Sequence, residues 1–537
     1  MKSRSALVMF AAACPLAFGA WAVAADKPSV QRSVSVMPEI ATEGLTTVES
    51  ANIQVGVSNW LSLERPLGVT DTTVRVTLSA EEIQAIEQPE AVNAAPLKVG
   101  LVIPMPTTLA LKGLVNPKTG LLNRGDRNLA GGRVSTNRDG DYIWAVNVAS
   151  EGAGGIRLHI ENLFLPNNGE LYFYSDSGES YGPYTGMGPE NSGEFWTPSI
   201  VGNEGTLQLH VHGPATKDDL ANVSLSITEV GHISRSFFGI GHGDTEGEGG
   251  VASFCQFNAP CIVNNSCTSN SAVDNAELAV AKMLWVQGCC IYTCSGGLIA
   301  DSDASTQIPY FMTAGHCLSQ SSTNLEAFFR YQVSCGTSTC TATFTDPPNS
   351  LIAGKTVGAT VKAQGSISSG DYCLLQLSQA PPAGSVFLGW TNTPISGTNG
   401  AALHRVSHPS GAPQAYSNAN VDTGAGTCQG WPRGPLIYSR GNVGATEGGS
   451  SGSPVVNASG QLVGQLTGGC GTNINNDCDH ASNATVDGAF AYYYNAVAPF
   501  LAGGGGGGCA PLGASCTVNA DCCSNKCKGP PGGKTCK

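Results

Sequence analysis

Apolar and polar positions alternate in short runs along most of this chain. Between residues 26 and 250 the clearest are Tyr142-Ile143-Trp144-Ala145-Val146-Asn147-Val148, Ile156-Arg157-Leu158-His159-Ile160, Leu171-Tyr172-Phe173-Tyr174 and Leu207-Gln208-Leu209-His210-Val211-His212, each bounded by Asn, Gly, Ser or Pro. A period of two marks strands with one buried face, and several in succession predict a β-sandwich. From 251 to 501 the runs Ala281 to Val286, Leu374 to Leu377 and Gln461 to Leu466 are again short and β-like, and few helical patterns occur before Ala489 to Phe500. An all-β unit of two antiparallel barrels is expected there. At the start, Lys2 and Arg4, an apolar run from Ala6 and Ala22-Val23-Ala24 ahead of Asp26 read as a signal peptide over residues 1–25. No later run reaches the roughly 18 to 20 apolar residues of a spanning helix. The expectation is a secreted protein with no membrane contact after signal removal.

Composition sharpens these boundaries. Of the 20 cysteines one, Cys14, lies in the leader, none in 26–250, 13 in 251–508 and six in the last 29 residues. A cysteine-free unit followed by a cysteine-rich one places a boundary near 240–253, where Gly239 to Asp244 and Glu246 to Gly250 read as an exposed, cleavable linker. No Cys-x2-Cys pair or spaced histidines suggest a metal, so the cysteines read as disulfides of an exported protein, and no cofactor is expected. The odd count in 251–508 leaves at least one unpaired. The formal charge of −13 divides into +2 over the leader, −13 over 26–250, −5 over 251–508 and +3 over the tail, with no basic patch for nucleic acid.

Candidate chemistry begins at Thr446-Glu447-Gly448-Gly449-Ser450-Ser451-Gly452-Ser453-Pro454. A serine between glycines ahead of an apolar run is a hydroxyl presented on a tight turn beside backbone N–H groups, and it needs a histidine base and an orienting carboxylate. The base is His316, at the end of the apolar run Ile308 to Ala314 and next to Cys317. Of Asp346, Asp371 and Asp422, only Asp371 precedes a run apolar enough to bury it, Tyr372-Cys373-Leu374-Leu375-Gln376-Leu377. The backbone N–H groups of Gly449 and Ser451 are the expected oxyanion donors.

The order His, Asp, Ser excludes two other hydrolase folds. Cys294-Ser295-Gly296-Gly297-Leu298-Ile299, Thr313 to Cys317, Ser369 to Leu375 and Gly449 to Pro454 resemble the chymotrypsin-like serine endopeptidases. The Gly-Ser-Ser-Gly-Ser-Pro form and the spacing of the three residues resemble the bacterial lysyl endopeptidase branch. The segments around Gly182 to Gly186 and Gly193 to Trp196 look like that branch's prodomains, which implies that 26–250 is a propeptide and 251–501 the protease unit. The resemblance also implies the disulfides Cys294–Cys317, Cys255–Cys470 and Cys261–Cys340. Ser450 stands where the digestive members of the superfamily carry an aspartate that meets a newly cut N-terminus, so no such ion pair is expected here.

Thr467-Gly468-Gly469 should form the edge on which an extended substrate pairs. The branch's pocket aspartate aligns near Ala484 or Thr485, and its histidine aligns with Thr467, so the first pocket is open between lysine and a small or apolar residue. Asp477, Asp479 and Asp487 read as solvated turn or cap residues. Residues 251–508 hold only Lys282, Lys355 and Lys362, which would limit self-cleavage at lysine.

Gly503 to Gly508 is a flexible linker, placed at 502–508. Residues 509–537 form a six-cysteine module too small to fold on burial alone. Its spacing resembles inhibitor cystine knots, which implies Cys509–Cys523, Cys516–Cys527 and Cys522–Cys536. The expected protein is a monomeric secreted serine endopeptidase made as a precursor, with protein or peptide substrates and its own propeptide as partners. The rival is a non-catalytic secreted binding or protease-inhibitor protein.

Overall fold

The computed structural model describes residues 57–501, apart from 88–92, 125–128, 240–254, 256–257, 303–305, 338–339, 341–349, 352–353 and 429, together with 31–32, 35–36, 527–529 and 534–536. The expected signal peptide, nearly all of the expected linker segments and most of the tail lie outside the described residues. Of the tail, a short ladder makes Cys527 and Cys536 Cα partners, and the three knot pairings fall outside the description.

The first unit is the expected sandwich. One sheet carries Val74–Val76, Tyr142–Ser150, Glu204–Val211, Gly169–Tyr174 and Ser180–Tyr184 in that order; the other carries Gly155–Phe164, Ser224–Ile233 and Leu97–Lys112. Leu207, Leu209 and Val211 point into the core between them with Leu158, Ile160 and Ile227. The polar members of the same strand are buried too, because the helix Val57–Glu64 covers the outer face: the Gln208 amide donates to the Leu61 carbonyl at 3.0 Å, and Trp60 lies on His210.

Two closed six-strand antiparallel barrels follow, in the chymotrypsin-like arrangement. The first runs Val280–Gln287, Cys290–Leu298, Tyr310–Ala314, Tyr372–Leu377, Gly354–Gln364, Ser322–Phe329 and back to the start. The second runs Pro454–Asn457, Ala402–Ser407, Ala415–Val421, Leu436–Val443, Asn483–Ala489, Leu462–Gly471 and closes on the first. The helix Phe490–Leu501 packs Phe490, Tyr493 and Val497 into the core of the first barrel.

The sandwich joins the first barrel through a shared sheet. The long strand Leu97–Lys112 pairs with Ser224–Ile233 of its own unit and with Cys290–Leu298 of the barrel. Ionic groups seal the seam. Arg157 and Lys355 both reach Glu326, at 3.4 and 2.6 Å, and Lys355 donates to the Ser199 carbonyl at 2.7 Å; all three charged side chains are fully buried. Lys282, also buried, donates to the carbonyls of Phe237 and Gly411 and sits over the rings of Phe237 and Tyr331.

Cys294 joins Cys317. Two other expected pairings are corrected. Cys255 pairs with Cys340 rather than Cys470, and Cys261 with Cys478 rather than Cys340. The reason is competition: Cys428 stands 5.6 Å from Cys470 between Cα atoms and Cys478 stands 5.7 Å from Cys261, both within bridging range. Cys267–Cys335 and the adjacent Cys289–Cys290 complete the set, leaving Cys373 as the free thiol among the described residues.

Candidate active site

His316 follows the strand Tyr310–Ala314, and Asp371 stands at the turn into Tyr372–Leu377, its antiparallel neighbour. Pairing these strands puts the two side chains together. Asp371 Oδ2 lies 2.8 Å from His316 Nδ1, and Oδ1 accepts the His316 main-chain N–H at 3.0 Å. A carboxylate against Nδ1 requires that nitrogen to carry the proton, which leaves Nε2 as the basic atom. Asp371 is buried and holds a left-handed φ of +50° after Gly370 at +106°, a conformation uncommon outside glycine and concentrated at functional sites. The second barrel braces this turn. The Gln465 amide donates to the carbonyls of Gly370 and Asp371, each at 2.8 Å, and Gln465 Oε1 accepts the Tyr493 hydroxyl. Asp422 pairs instead with Arg440 at 2.9 Å on the surface, and Asp346 lies outside the described residues.

Ser451 enters from the second barrel on its glycine turn. Gly452 has φ +83°, and a Cβ there would stand 2.1 Å from Thr313 Oγ1 and 2.4 Å from the Ser295 carbonyl oxygen. Only glycine lets the nucleophile turn press against the histidine strand. Ser295 completes the junction: its N–H donates to the Ser451 carbonyl at 2.8 Å, its hydroxyl donates to the Gly449 carbonyl at 2.9 Å, and it accepts the His408 N–H at 3.0 Å. The buried His316 Nε2 has no hydrogen-bond partner among the described residues, so its bond to Ser451 Oγ is not made in this state; such bonds commonly tighten only with substrate. The N–H groups of Gly449 and Ser451 donate to no protein acceptor among the described residues and are free to meet an oxyanion.

A cavity of about 220 Å³ opens beside Ser451, lined among others by Gly468, Gly469, Thr485, Glu447, Asp477 and His480. Thr467 is not at its wall; its side chain is buried, with its hydroxyl unpartnered. Asp477 lines the cavity from an exposed position on its loop, as the solvated reading expects, and partial desolvation there together with the charge of Glu447 raises its carboxyl to about 6. Asp479 is the expected cap: hydrogen bonds from Asn473 and Ser482 lower it to about 2. Asp487 corrects the solvated reading, since it is fully buried and paired through both oxygens with Arg405.

The far side of the cavity is filled by the first unit. Asn93, Ala94 and Ala95 line it, and the Asn93 carboxamide pairs with Gly469 as a strand backbone would, accepting its N–H at 3.1 Å and donating to its carbonyl at 2.5 Å. Sequence reasoning missed Asn93, Ser295, Gln465 and the partners of Glu447. The one signal for them was a polar residue inside an apolar run, as at Gln465.

Two groups of described side chains come close enough to share a cation. In the first, Cys294 and Cys317 beside His316, the sulfurs are spent in a disulfide. The second, His159 with Glu161 and Glu194, lies on the sandwich away from Ser451.

Parts of this chain are similar to known proteins. A family model described as "Lysyl endopeptidase, C-terminal domain" matches residues 250–484, and one described as "Lysyl endopeptidase N-terminal domain" matches 133–234. A lysyl endopeptidase from Pseudomonas aeruginosa is 28% identical over 388 residues, covering 68% of this chain and 76% of that protein. Among solved structures, an inactive form of a protease from M. tuberculosis is 16% identical over 44% of this chain and 93% of its own, with a TM-score of 0.27. The HtrA-type protease AlgW with a tripeptide is 15% identical over 43% and 63%, with a TM-score of 0.29.

Proposed function

The chain belongs to the lysyl endopeptidase family and is a serine endopeptidase, and from that premise we propose how its residues divide the work. His316 Nε2 takes the proton of Ser451 as Oγ attacks a peptide carbonyl, then returns it to the leaving amine. Asp371 holds the ring in one tautomer and stabilises the imidazolium. The N–H groups of Gly449 and Ser451 bind the tetrahedral oxygen, and water attack on the acyl-enzyme repeats the sequence in reverse. The observation that carries the assignment is the double contact of Asp371 with ring and main chain of His316, because a carboxylate serving only as a turn cap has no need of Nδ1. Fluorophosphonate labelling of the processed protein tests it. One labelled serine is expected, lost in Ser451→Ala, and an unlabelled wild type would overturn the assignment.

Residues 26–250 act in this reading as a propeptide, removed within 240–253 after export behind the leader. Its strand on the first barrel holds it in place, and Asn93 occupies the edge at Gly469 where substrate would pair. The enzyme works outside the cell as a monomer on protein or peptide substrates. For the first pocket we infer lysine. Asp477 supplies a carboxylate in the cavity beside Ser451, in place of the acid that Ala484 and Thr485 do not provide, and the name of the Pseudomonas relative, lysyl endopeptidase, points to lysine as well.

A further inference from the structure

In the digestive members of the superfamily a carboxylate beside the nucleophile organises the oxyanion loop; here the neighbouring residue is Ser450, whose hydroxyl accepts only that of Ser407, at 3.1 Å. A different carboxylate reaches the loop. Glu447, four residues before Ser451, accepts the Ala259 N–H at 2.6 Å through Oε1, and through Oε2 the Asn258 amide at 2.7 Å and the Ser410 hydroxyl at 3.0 Å. Ser410 is held at φ +55°, and from that turn its N–H donates to the Gly448 carbonyl at 2.6 Å. A trans peptide points its C=O and N–H in opposite directions. Holding the Gly448 carbonyl at Ser410 therefore aims the Gly449 N–H away from Ser410, and no protein acceptor among the described residues claims it.

We propose that Glu447 is the positioning residue of the oxyanion loop, clamping it through Ser410 to the segment Asn258–Ala259 and so replacing an activation ion pair with internal hydrogen bonds to a carboxylate. This rests on the triad reading above. The donors to Glu447 from that segment, a main-chain N–H and a side-chain amide, lie downstream of the linker, so a cut at 240–253 leaves them intact. The disulfides Cys255–Cys340 and Cys261–Cys478 fasten that segment on either side. The loop is therefore set before processing, and processing changes access to the cleft, not the geometry of the loop.

The test compares processed wild type with Glu447→Ala, Glu447→Gln and Ser410→Gly, the last keeping the N–H and the left-handed φ while deleting the hydroxyl. One lost oxyanion donor costs about a hundredfold to a thousandfold in kcat, so a displaced donor should cost Glu447→Ala roughly tenfold to a hundredfold. Glu447→Gln, which keeps one acceptor, should lose less, and Ser410→Gly about threefold to tenfold. KM should move by less than about threefold, and a peptide boronate that mimics the tetrahedral state should weaken in proportion to kcat/KM. Uncleaved peptide should bind Ser451→Ala equally well with and without Ser410→Gly, and acetylating the processed N-terminus should leave kcat unchanged. Three results would each overturn the proposal: kcat unchanged in Ser410→Gly and Glu447→Gln alike, a loss residing entirely in KM and peptide binding, or inactivation by acetylation. Ser410→Gly keeps the question answerable if Glu447→Ala does not fold. An unmodified enzyme that fails to label at Ser451 would instead remove the triad reading, and this inference with it.

Discussion

The crevice between the barrels and the cavity beside it are held together by contacts of different range. In the crevice the partners are distant in the chain: Ser295 and Gly449 are 154 residues apart, Gln465 and Gly370 95, Asn258 and Glu447 189. In the outer wall of the cavity, residues 473–483, most hydrogen bonds are local, Asn473 with Asp479 six apart, Ser482 with Asp479 three and Asn483 with Asn473 ten, and the Cys261–Cys478 disulfide is the long-range tie. Long-range bonds between two closed barrels place atoms only where the whole fold places them. Apart from Cys478, the residues of such a loop can change without disturbing the barrels, so reaction geometry and substrate choice are largely separable here.

If so, the largest losses should come from the crevice. Asp371→Asn offers Nδ1 the wrong partner and should lower kcat about ten-thousand-fold with KM little changed, as read from steady-state kinetics. A residual rate near wild type would break the comparison at its strongest point. Gly452→Ala places a methyl against Thr313 and Ser295; overpacking of that kind costs about 1 to 3 kcal/mol, which urea denaturation should register together with a severe loss of kcat.

The pocket should respond more gently and more selectively. Asp477→Asn is expected to lower kcat/KM for lysyl peptides by about tenfold to a hundredfold, leave norleucyl peptides nearly unchanged and leave the unfolding midpoint unharmed. Its carboxyl sits at about 6 and carries charge above that pH. Preference for lysine over norleucine should therefore grow as pH rises through 6 in wild type and stay flat in Asp477→Asn. The same raised value means that ionised Asp477 is disfavoured in the folded state, so the variant should gain slightly in midpoint above pH 6 and nothing below the ordinary carboxylate range. Smallest is Asn93→Ala in the uncut chain. Losing two hydrogen bonds worth about 1 kcal/mol each should raise basal hydrolysis of a small fluorogenic peptide by tenfold or so, and no rise would mean that the Asn93 contact does not guard the cleft.

These two regions also differed in how far they could be read from residues alone. His316, Asp371 and Ser451 were legible because their chemistry imposes local demands: a glycine turn before an apolar run, a histidine closing a strand, an aspartate ahead of a run dense enough to bury it. The barrels and the sandwich were legible from period two. What stayed hidden were partnerships with no local mark. Nothing around Asn93 predicts that it reaches Gly469, 376 residues away, and nothing around Asp487 tells a buried partner of Arg405 from a solvated cap. Two of the disulfides carried over by resemblance failed, because Cys478 and Cys428 are the partners of Cys261 and Cys470 in the fold. The lysine scarcity also acquired a second meaning, since Lys282 and Lys355 are buried at the seam with the first unit.

One measurement bears on the whole account: a peptide-library digest by the processed protein, with Ser451→Ala as control and every cut read by mass spectrometry. The account predicts cuts after lysine that are absent from the control. Cuts after small or apolar residues would contradict the role given to Asp477, and identical patterns from protein and control would contradict the site itself.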